Sequence, residues 1–110
     1  MPWVNLDDKM PDHPKITGLS DAAFRLNVSA ICYCNRHLTD GLIDADEVPR
    51  LVRRFRRSAV NELVTRGVWL HHEVLHCYEV HDYLQWNKSR VQVEEAAERQ
   101  RKRARKRWDK

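Results

Sequence analysis

Arginines dominate one short stretch near the middle of the chain. Five of the eight residues from 50 to 57 are arginines, namely Arg50, Arg53, Arg54, Arg56 and Arg57. A guanidinium keeps its charge at physiological pH, and its planar fork matches two oxygens of a phosphate or a carboxylate. So dense a group of like charges is typical of a surface that binds a polyanion.

A second basic stretch ends the chain. Residues 99–110 hold eight lysines and arginines and one acid, Asp109, so this stretch carries a charge of +7, whereas the rest of the chain carries −3. This concentration predicts a segment that binds the phosphates of a nucleic acid. Other interpretations stay open: a tail that binds an acidic protein surface, a tail that only raises solubility, or the stub of a longer chain.

The six histidines and three cysteines do not form a metal-ligand pattern. Cys32 and Cys34 are two residues apart in a predicted helix, so their side chains point in different directions. His72 and His76 have the i, i+4 spacing that suits a helix, but they lie in a predicted hairpin. We therefore expect no metal site and no cofactor.

Catalytic motifs are equally weak. The glycines at 18, 41 and 67 stand alone at turns or helix ends and form no glycine-rich phosphate loop. Asp7 and Asp8 are adjacent, but a surface turn explains them more simply than a paired carboxylate site does. We expect no enzymatic activity.

The length and composition fit one small domain with an appendage. The chain has 110 residues, of which 42% are hydrophobic and 33% charged, and it is too short for two domains. No apolar run approaches the roughly 18 residues that cross a membrane, and no basic-then-apolar leader opens the chain. The odd number of cysteines suits a reducing cytoplasm better than a disulfide scaffold. We expect a cytoplasmic protein with no membrane partner.

Hydrophobic spacing and capping residues predict four helices, at about residues 20–37, 44–55, 59–66 and 90–108. The predicted N-caps of the first three are Ser20 or Asp21, Asp44 and Ser58. Ser89 with Gln92 matches a capping box for the last helix.

Alternation of apolar and polar residues predicts short strands at 3–7, 42–43, 68–70 and 77–81. The last two are expected to form a hairpin with its tip at 73–75. Residues 8–18 and 82–88 are predicted connections, and Phe55 and Trp69 are predicted to be buried in the core.

The order of helix, short strand, two helices and hairpin is the layout of a winged helix–turn–helix. We predict an α+β, mainly helical fold with a small β-hairpin wing and a basic C-terminal helix. The winged-helix domain would cover residues 1–88, with residues 42–43 as the third strand of its sheet. The basic helix or tail would cover residues 89–110.

This layout points to double-stranded DNA as the partner. In a helix–turn–helix the last helix of the pair lies in the major groove, and the preceding helix and turn meet the backbone. The third helix, about residues 58–66, would therefore read bases, and an asparagine such as Asn61 can bond adenine in bidentate fashion. The predicted DNA-contacting residues are Arg53, Arg54, Arg56, Arg57, Ser58, Asn61, Thr65 and Arg66, and in the tail Arg101, Lys102, Arg103, Arg105, Lys106 and Arg107. The wing tip, residues 71–76, carries histidines and a glutamate instead of Arg or Lys and is a weaker candidate.

Four blocks of sequence carry a resemblance to a known class of protein. They are Trp3–Asp8 with His13-Pro14-Lys15, His37–Gly41, Leu63–Trp69, and Val80–Arg90 ahead of a basic helix. With these blocks the chain resembles small winged-helix proteins of actinobacterial phages and prophages, some of them similar to the N-terminal domains of phage replisome organisers and replication initiators. The resemblance implies DNA binding in the cytoplasm of a bacterial host, in replication, transcriptional control or host takeover.

Two other partners stay open. The same fold can serve as a protein-interaction module that binds a host or replisome protein, and it can bind RNA. The five positive charges of residues 50–57 argue against a purely protein-binding face. Whether the chain forms a homodimer also stays open.

Overall fold

A three-stranded antiparallel sheet with two helices packed on it forms the body of the molecule in a computed structural model, which describes residues 3–87 and 89–108. The helices are α1 (Pro14–Thr17), α2 (Asp21–His37), α3 (Arg57–Thr65), α4 (Tyr83–Trp86) and α5 (Arg90–Trp108). The strands are β1 (Leu42–Asp44), β2 (Trp69–His72) and β3 (Cys77–Val80). The predicted α+β class is confirmed.

The first predicted helix is confirmed as α2. Ser20 is its N-cap, and the Ser20 Oγ accepts a hydrogen bond from the Ala23 N–H at 3.2 Å, which satisfies one of the free N–H groups of the first turn. The helix ends where Leu38 turns left-handed, with φ 53°. The buried face of α2 consists of Ala23, Leu26, Asn27, Ala30, Ile31 and Cys34.

The predicted hairpin and the third strand are also confirmed. β3 is the central strand, with β1 and β2 antiparallel on either side. Ile43 of β1 pairs with Tyr78, and Trp69 of β2 pairs with Val80. All four side chains are buried, because alternate residues of a strand point to the same face of the sheet.

The predicted second helix, residues 44–55, is wrong. Asp44 pairs with Cys77 in the sheet, and only a 3₁₀ turn, Val48–Arg50, forms before an irregular stretch leads to Arg56. Asp44 Oδ1 accepts a hydrogen bond from the Asp46 N–H at 2.8 Å, and such a local bond favours a turn over a helix. A continuous helix would also stack the arginines at 50, 53, 54 and 57 on one face, where they would repel one another.

α3 begins earlier than predicted. Arg56 is the N-cap in place of Ser58, and no side chain bonds to the cap. Arg56 is extended, with φ −131° and ψ 129°, so the helix starts at Arg57. Gly67 follows the helix with φ 74°, a left-handed conformation that glycine adopts without steric strain, and it ends α3 as predicted.

The predicted strand at residues 3–7 is wrong as well. The Asn5 backbone pairs with a side chain instead of a strand: its N–H donates to Asn87 Oδ1 at 2.9 Å, and its carbonyl accepts from Asn87 Nδ2 at 3.1 Å. A neighbouring antiparallel strand would offer the same two bonds. The buried Asn87 amide therefore holds the N-terminal segment on the body.

Residues 8–18, predicted to be a loop, contain two short helical turns. A 3₁₀ turn covers Met10–Asp12, and α1 follows it. Pro11 and Pro14 lie in the first positions of these turns, where a backbone N–H has no helical partner. The His13 Nδ1 accepts a hydrogen bond from the Lys15 N–H at 3.2 Å and caps α1.

The last predicted helix is confirmed as α5, together with its capping box. The Ser89 N–H donates to Gln92 Oε1 at 2.9 Å, and the Gln92 N–H donates to Ser89 Oγ at 3.2 Å. Lys88, at the predicted boundary between domain and tail, lies outside the described residues. α5 has 19 residues, but neither it nor any other helix of the described ranges is apolar enough to span a bilayer.

Trp69 is buried, as predicted, and it is the largest fully buried side chain among the described residues. The Trp69 Nε1 donates a hydrogen bond to the buried Asn27 Oδ1 at 3.0 Å, and the Trp69 ring lies 5.7 Å from the Tyr78 ring, centroid to centroid. Phe55, predicted to be buried, is only half-buried. It lies on the irregular stretch where the second helix was expected. The Arg57 guanidinium lies over the Phe55 ring, 5.2 Å from the ring centroid.

The bond between Trp69 and Asn27 gives a stability prediction. Replacing Asn27 by Ala is expected to lower the free energy of unfolding by about 1–3 kcal/mol, because the buried Trp69 N–H loses its acceptor. Urea unfolding measures the change. Asn61→Ala, at an exposed position of α3, is the control and should change stability by less than about 0.5 kcal/mol. A loss no larger than the control's would contradict the role given to this bond.

Candidate nucleic-acid interface

The outward side of α3 presents the polar residues that the sequence predicted. Ser58, Asn61 and Thr65 are exposed, and we call them the reading face. The opposite side of the helix is buried, through Ala59, Val60 and Leu63. Since residues three and four apart share one side of a helix, the reading face forms a single stripe. Arg66, just beyond the helix, is exposed as well.

The arginine loop, residues 50–57, lies directly before this stripe. All five of its arginines are exposed. Arg50 lies 3.6 Å from a Glu47 carboxylate oxygen, and Arg57 lies over the Phe55 ring. Within the described part of the chain, Arg53, Arg54 and Arg56 form no ion pair. Because the second helix is replaced by a turn and an irregular stretch, these arginines stand on a loop.

The N-terminus of α3 adds positive potential to the loop. A helix N-terminus carries roughly half a positive charge and free N–H groups. Here the first turn contains no acidic residue, and Arg56 and Arg57 occupy the N-cap and the first helical position. Acidic side chains normally stabilise this end, and here arginines take their place, so the positive charges and the N-terminus lie together.

The C-terminal half of α5 is exposed on every side. Each residue from 99 to 107 is exposed, and we call this segment the basic helix end. Glu98 pairs with Arg101 at 2.7 Å and with Arg105 at 3.7 Å. The hydrogen bond and the charge of Arg101 hold the pKa of Glu98 below its ordinary value of 4.5. The other predicted contacts, Lys102, Arg103, Lys106 and Arg107, form no ion pair among the described residues.

Asp40 attaches α5 to the body, a role that sequence reasoning missed. The Arg90 N–H, at the first position of α5, donates to Asp40 Oδ1 at 2.7 Å. A carboxylate at a helix N-terminus also stabilises the helix dipole. No hydrogen bond or ion pair between described residues links the basic helix end to the arginine loop or the reading face.

Glu62 fixes α3 against α2 and was also missed. The Ser20 N–H, at the N-cap of α2, donates to Glu62 Oε2 at 2.9 Å. This bond, with a smaller contribution from the Arg66 charge, lowers the pKa of Glu62 below its ordinary value of 4.5. The two residues are 42 positions apart in the chain, so no local spacing reveals the contact.

The hairpin tip has an apolar end that the sequence reading overlooked. Val74 is 99% exposed and Leu75 is 70% exposed. Two of the three tip histidines lie beside acids: His72 Nε2 is 3.2 Å from Glu79 Oε1, and His76 Nε2 is 3.2 Å from Asp46 Oδ1. The tip therefore exposes apolar surface and contains no arginine or lysine.

One group of potential metal ligands comes together next to the hairpin. Side-chain atoms of Asp44, Asp46 and His76 lie within 4.8 Å of one another, and all three residues are exposed. The Asp46 N–H bond to Asp44 and the contact between Asp46 and His76 account for this approach. Such an exposed arrangement supports no metal site by itself.

Comparisons with known proteins found no relative of this chain. No protein-family model, no curated protein and no solved structure matches the chain. The resemblance to phage winged-helix proteins therefore stays a prediction.

The contact between Glu62 and Ser20 makes stability depend on pH. The pKa of Glu62 is lower in the folded chain than in the unfolded chain, so the contact stabilises the fold above about pH 4.5 and is lost as the pH falls through the folded-state pKa. Glu62→Gln should therefore reduce the stability difference between pH 7 and pH 3, measured by urea unfolding. Glu95→Gln, exposed on α5, is the matched control. An unchanged difference in Glu62→Gln would contradict the contact.

The contact between Asp40 and Arg90 gives a prediction for α5. Asp40 is left-handed, with φ 56°. Asp40→Gly therefore removes the carboxylate without backbone strain, whereas Asp40→Asn keeps an acceptor and also adopts the left-handed conformation readily. Asp40→Gly should raise the hydrogen-exchange rate of the Arg90 amide about tenfold, the effect of one hydrogen bond to a charged group. Asp40→Asn should raise it less. Equal exchange in both variants and wild type would show that Asp40 does not hold α5.

Proposed function

We propose that this protein binds double-stranded DNA as a winged helix–turn–helix, with α3 in the major groove. The observation that carries the proposal is the arginine loop leading directly into the acid-free N-terminus of α3, whose outward side is polar. In this arrangement the phosphate-binding charges stand next to the side chains that would meet base edges.

The order of elements supports the winged-helix part of the proposal. α2, β1, the 3₁₀ turn, α3 and the hairpin follow one another, and the sheet order is β1-β3-β2. The helix that precedes α3 in a helix–turn–helix is reduced here to the 3₁₀ turn Val48–Arg50. The arginine loop then takes the place of the turn that meets the DNA backbone.

The charges favour phosphates as the first contact. Arg53, Arg54 and Arg56 are exposed and form no ion pair among the described residues, so no intramolecular partner has to be displaced before they bind. Each phosphate they neutralise releases counterions, which gives affinity that does not depend on sequence. The basic helix end would add further contacts of the same kind.

The reading face favours sequence recognition. Asn61 stands in the middle of the stripe, with Ser58 and Thr65 one turn to either side. The asparagine amide can donate and accept at once, which matches the edge of adenine in the major groove, and hydroxyls can bond either base type. None of these three side chains is held by a hydrogen bond among the described residues, so each is free to contact DNA.

A second candidate function rests on the hairpin tip. Val74 and Leu75 are exposed apolar residues at the end of a hairpin, and exposed apolar surface is typical of a site that binds protein. If α3 does not bind DNA, the tip supports the alternative of a module that binds a host or replisome protein. The biological setting in either case, phage replication or transcriptional control in a bacterial cytoplasm, rests on the resemblance alone.

Two substitutions separate affinity from sequence recognition. A preferred duplex is first selected from a random-sequence library, and fluorescence anisotropy then gives Kd for this duplex and for a random one. Asn61→Ala should weaken binding to the preferred duplex by about 5- to 100-fold, the effect of one bidentate contact, with little change on the random duplex. Arg54→Ala should weaken both alike. Arg25→Ala, an exposed arginine of α2, is the control for loss of charge and should change neither by more than about twofold.

Other results would contradict the proposal in distinct ways. If Asn61→Ala and Arg54→Ala scale all binding equally, α3 does not read bases and the chain binds DNA without specificity. If neither substitution matters but removal of residues 99–110 abolishes binding, the α3 surface does not bind DNA, and the protein-interaction alternative is preferred.

A further inference from the structure

A cavity of about 750 Å³ lies on the side of the body formed by the N-terminal segment, α1 and α2. Its volume falls within the range of roughly 300–1,000 Å³ that is typical of small-molecule sites. The apolar part of its wall includes Met10, Ile16, Ile31, Val68 and Val80. These residues come from five separate segments, so the cavity exists only in the folded chain.

A buried amide lines this cavity. Asn27 is only 3% exposed, and its Oδ1 accepts the hydrogen bond from Trp69. The Nδ2 of the same amide donates to no group in the described ranges of the chain. The fully enclosed side-chain polar atom that lacks a partner in the described ranges is Thr39 Oγ1, and not this nitrogen. A ligand acceptor that reaches the Asn27 N–H from the cavity would give it a hydrogen bond that no described protein group provides.

The charges around the cavity do not select a charged ligand. Lys9 and Lys15 stand against Asp7, Asp12 and Asp82. Asp7 accepts a bond from the Lys9 N–H, and Asp82 lies 3.1 Å from His81 Nδ1, so two of the acids have local partners. With charges of both signs at the wall, an ion in this half-open cavity would meet no dedicated counter-charge.

We propose that this cavity binds a small neutral apolar molecule that carries one hydrogen-bond acceptor, such as a ketone or an amide, with the acceptor on Asn27 Nδ2. The apolar body of the ligand would lie on Met10, Ile16 and Ile31. Gly67 and Val68, which follow the C-cap of α3, also line the cavity, so the ligand would touch the segment that ends α3. The site is independent of the DNA-binding proposal.

The test titrates the full chain with three probes of one shape while recording amide and Asn side-chain NMR signals. Acetophenone has the acceptor, ethylbenzene lacks it, and benzoate replaces it with a charge. We expect acetophenone to give saturable shifts at Gly67, Val68 and the Asn27 side chain. Its affinity should be about tenfold higher than that of ethylbenzene, as one buried hydrogen bond provides.

Two variants locate the site without touching Asn27, whose loss also affects folding. Met10→Trp adds bulk to the wall, where Met10 is half-buried, and should weaken acetophenone binding at least tenfold. Leu42→Trp, an exposed position of β1, should leave it unchanged.

Several results would overturn the proposal: no saturable shift, equal affinity for acetophenone and ethylbenzene, tighter binding of benzoate, shifts confined to residues away from the cavity, or unchanged binding in Met10→Trp. Because no DNA is present, none of these results bears on the DNA-binding proposal. A failure of DNA binding would equally leave this test intact.

Discussion

The hydrogen bond between Trp69 Nε1 and Asn27 Oδ1 is the contact on which the rest of the structure depends. It joins the middle of α2 to the first residue of β2, and both side chains are buried. In an apolar interior each of these polar groups would be costly alone, so each requires the other. The pair sets the position of α2 relative to the sheet, and α3, which packs on α2 and runs into β2, is positioned by both. The contact between Glu62 and Ser20 joins α3 to the N-terminus of α2.

A rigid body of this kind explains why the charged segments can remain exposed. The core uses one side of α3, and from the arginine loop only the partly buried Leu51, Val52 and Phe55 pack against it. Arg53, Arg54 and Arg56 stay exposed. In the basic helix end the like charges repel one another, and no buried side chain offsets this repulsion. This combination favours a partner of opposite charge. The proposed function assigns both segments to the same partner: the loop at the phosphates beside α3, and the basic helix end along the backbone.

Local signals in the sequence predicted most of the fold, and the failures have physical causes. α2, the hairpin, the strand at Leu42-Ile43 and the capping box at Ser89 follow from apolar spacing and capping residues within a few positions. The helix at 44–55 failed because the pairing of Asp44 with Cys77, a tertiary contact, overrode a good capping pattern. The strand at 3–7 failed because Asn87, 82 positions away, replaces a neighbouring strand. Local signals also predicted the exposed arginines and Asn61. They did not predict the roles of Asp40 and Glu62 or the cavity around Asn27, because these depend on contacts between residues far apart in the chain.

The salt dependence of DNA binding tests the central claim most directly. We expect the arginine loop and the basic helix end to neutralise about six phosphates together. A plot of the logarithm of the binding constant for a random duplex against the logarithm of salt concentration should then have a slope of about −5. This measurement needs no knowledge of the preferred sequence and no variant that has to fold. A slope of about −5 is the result predicted here. A slope near zero, or no measurable binding at low salt, would contradict the proposal that these two basic surfaces bind DNA.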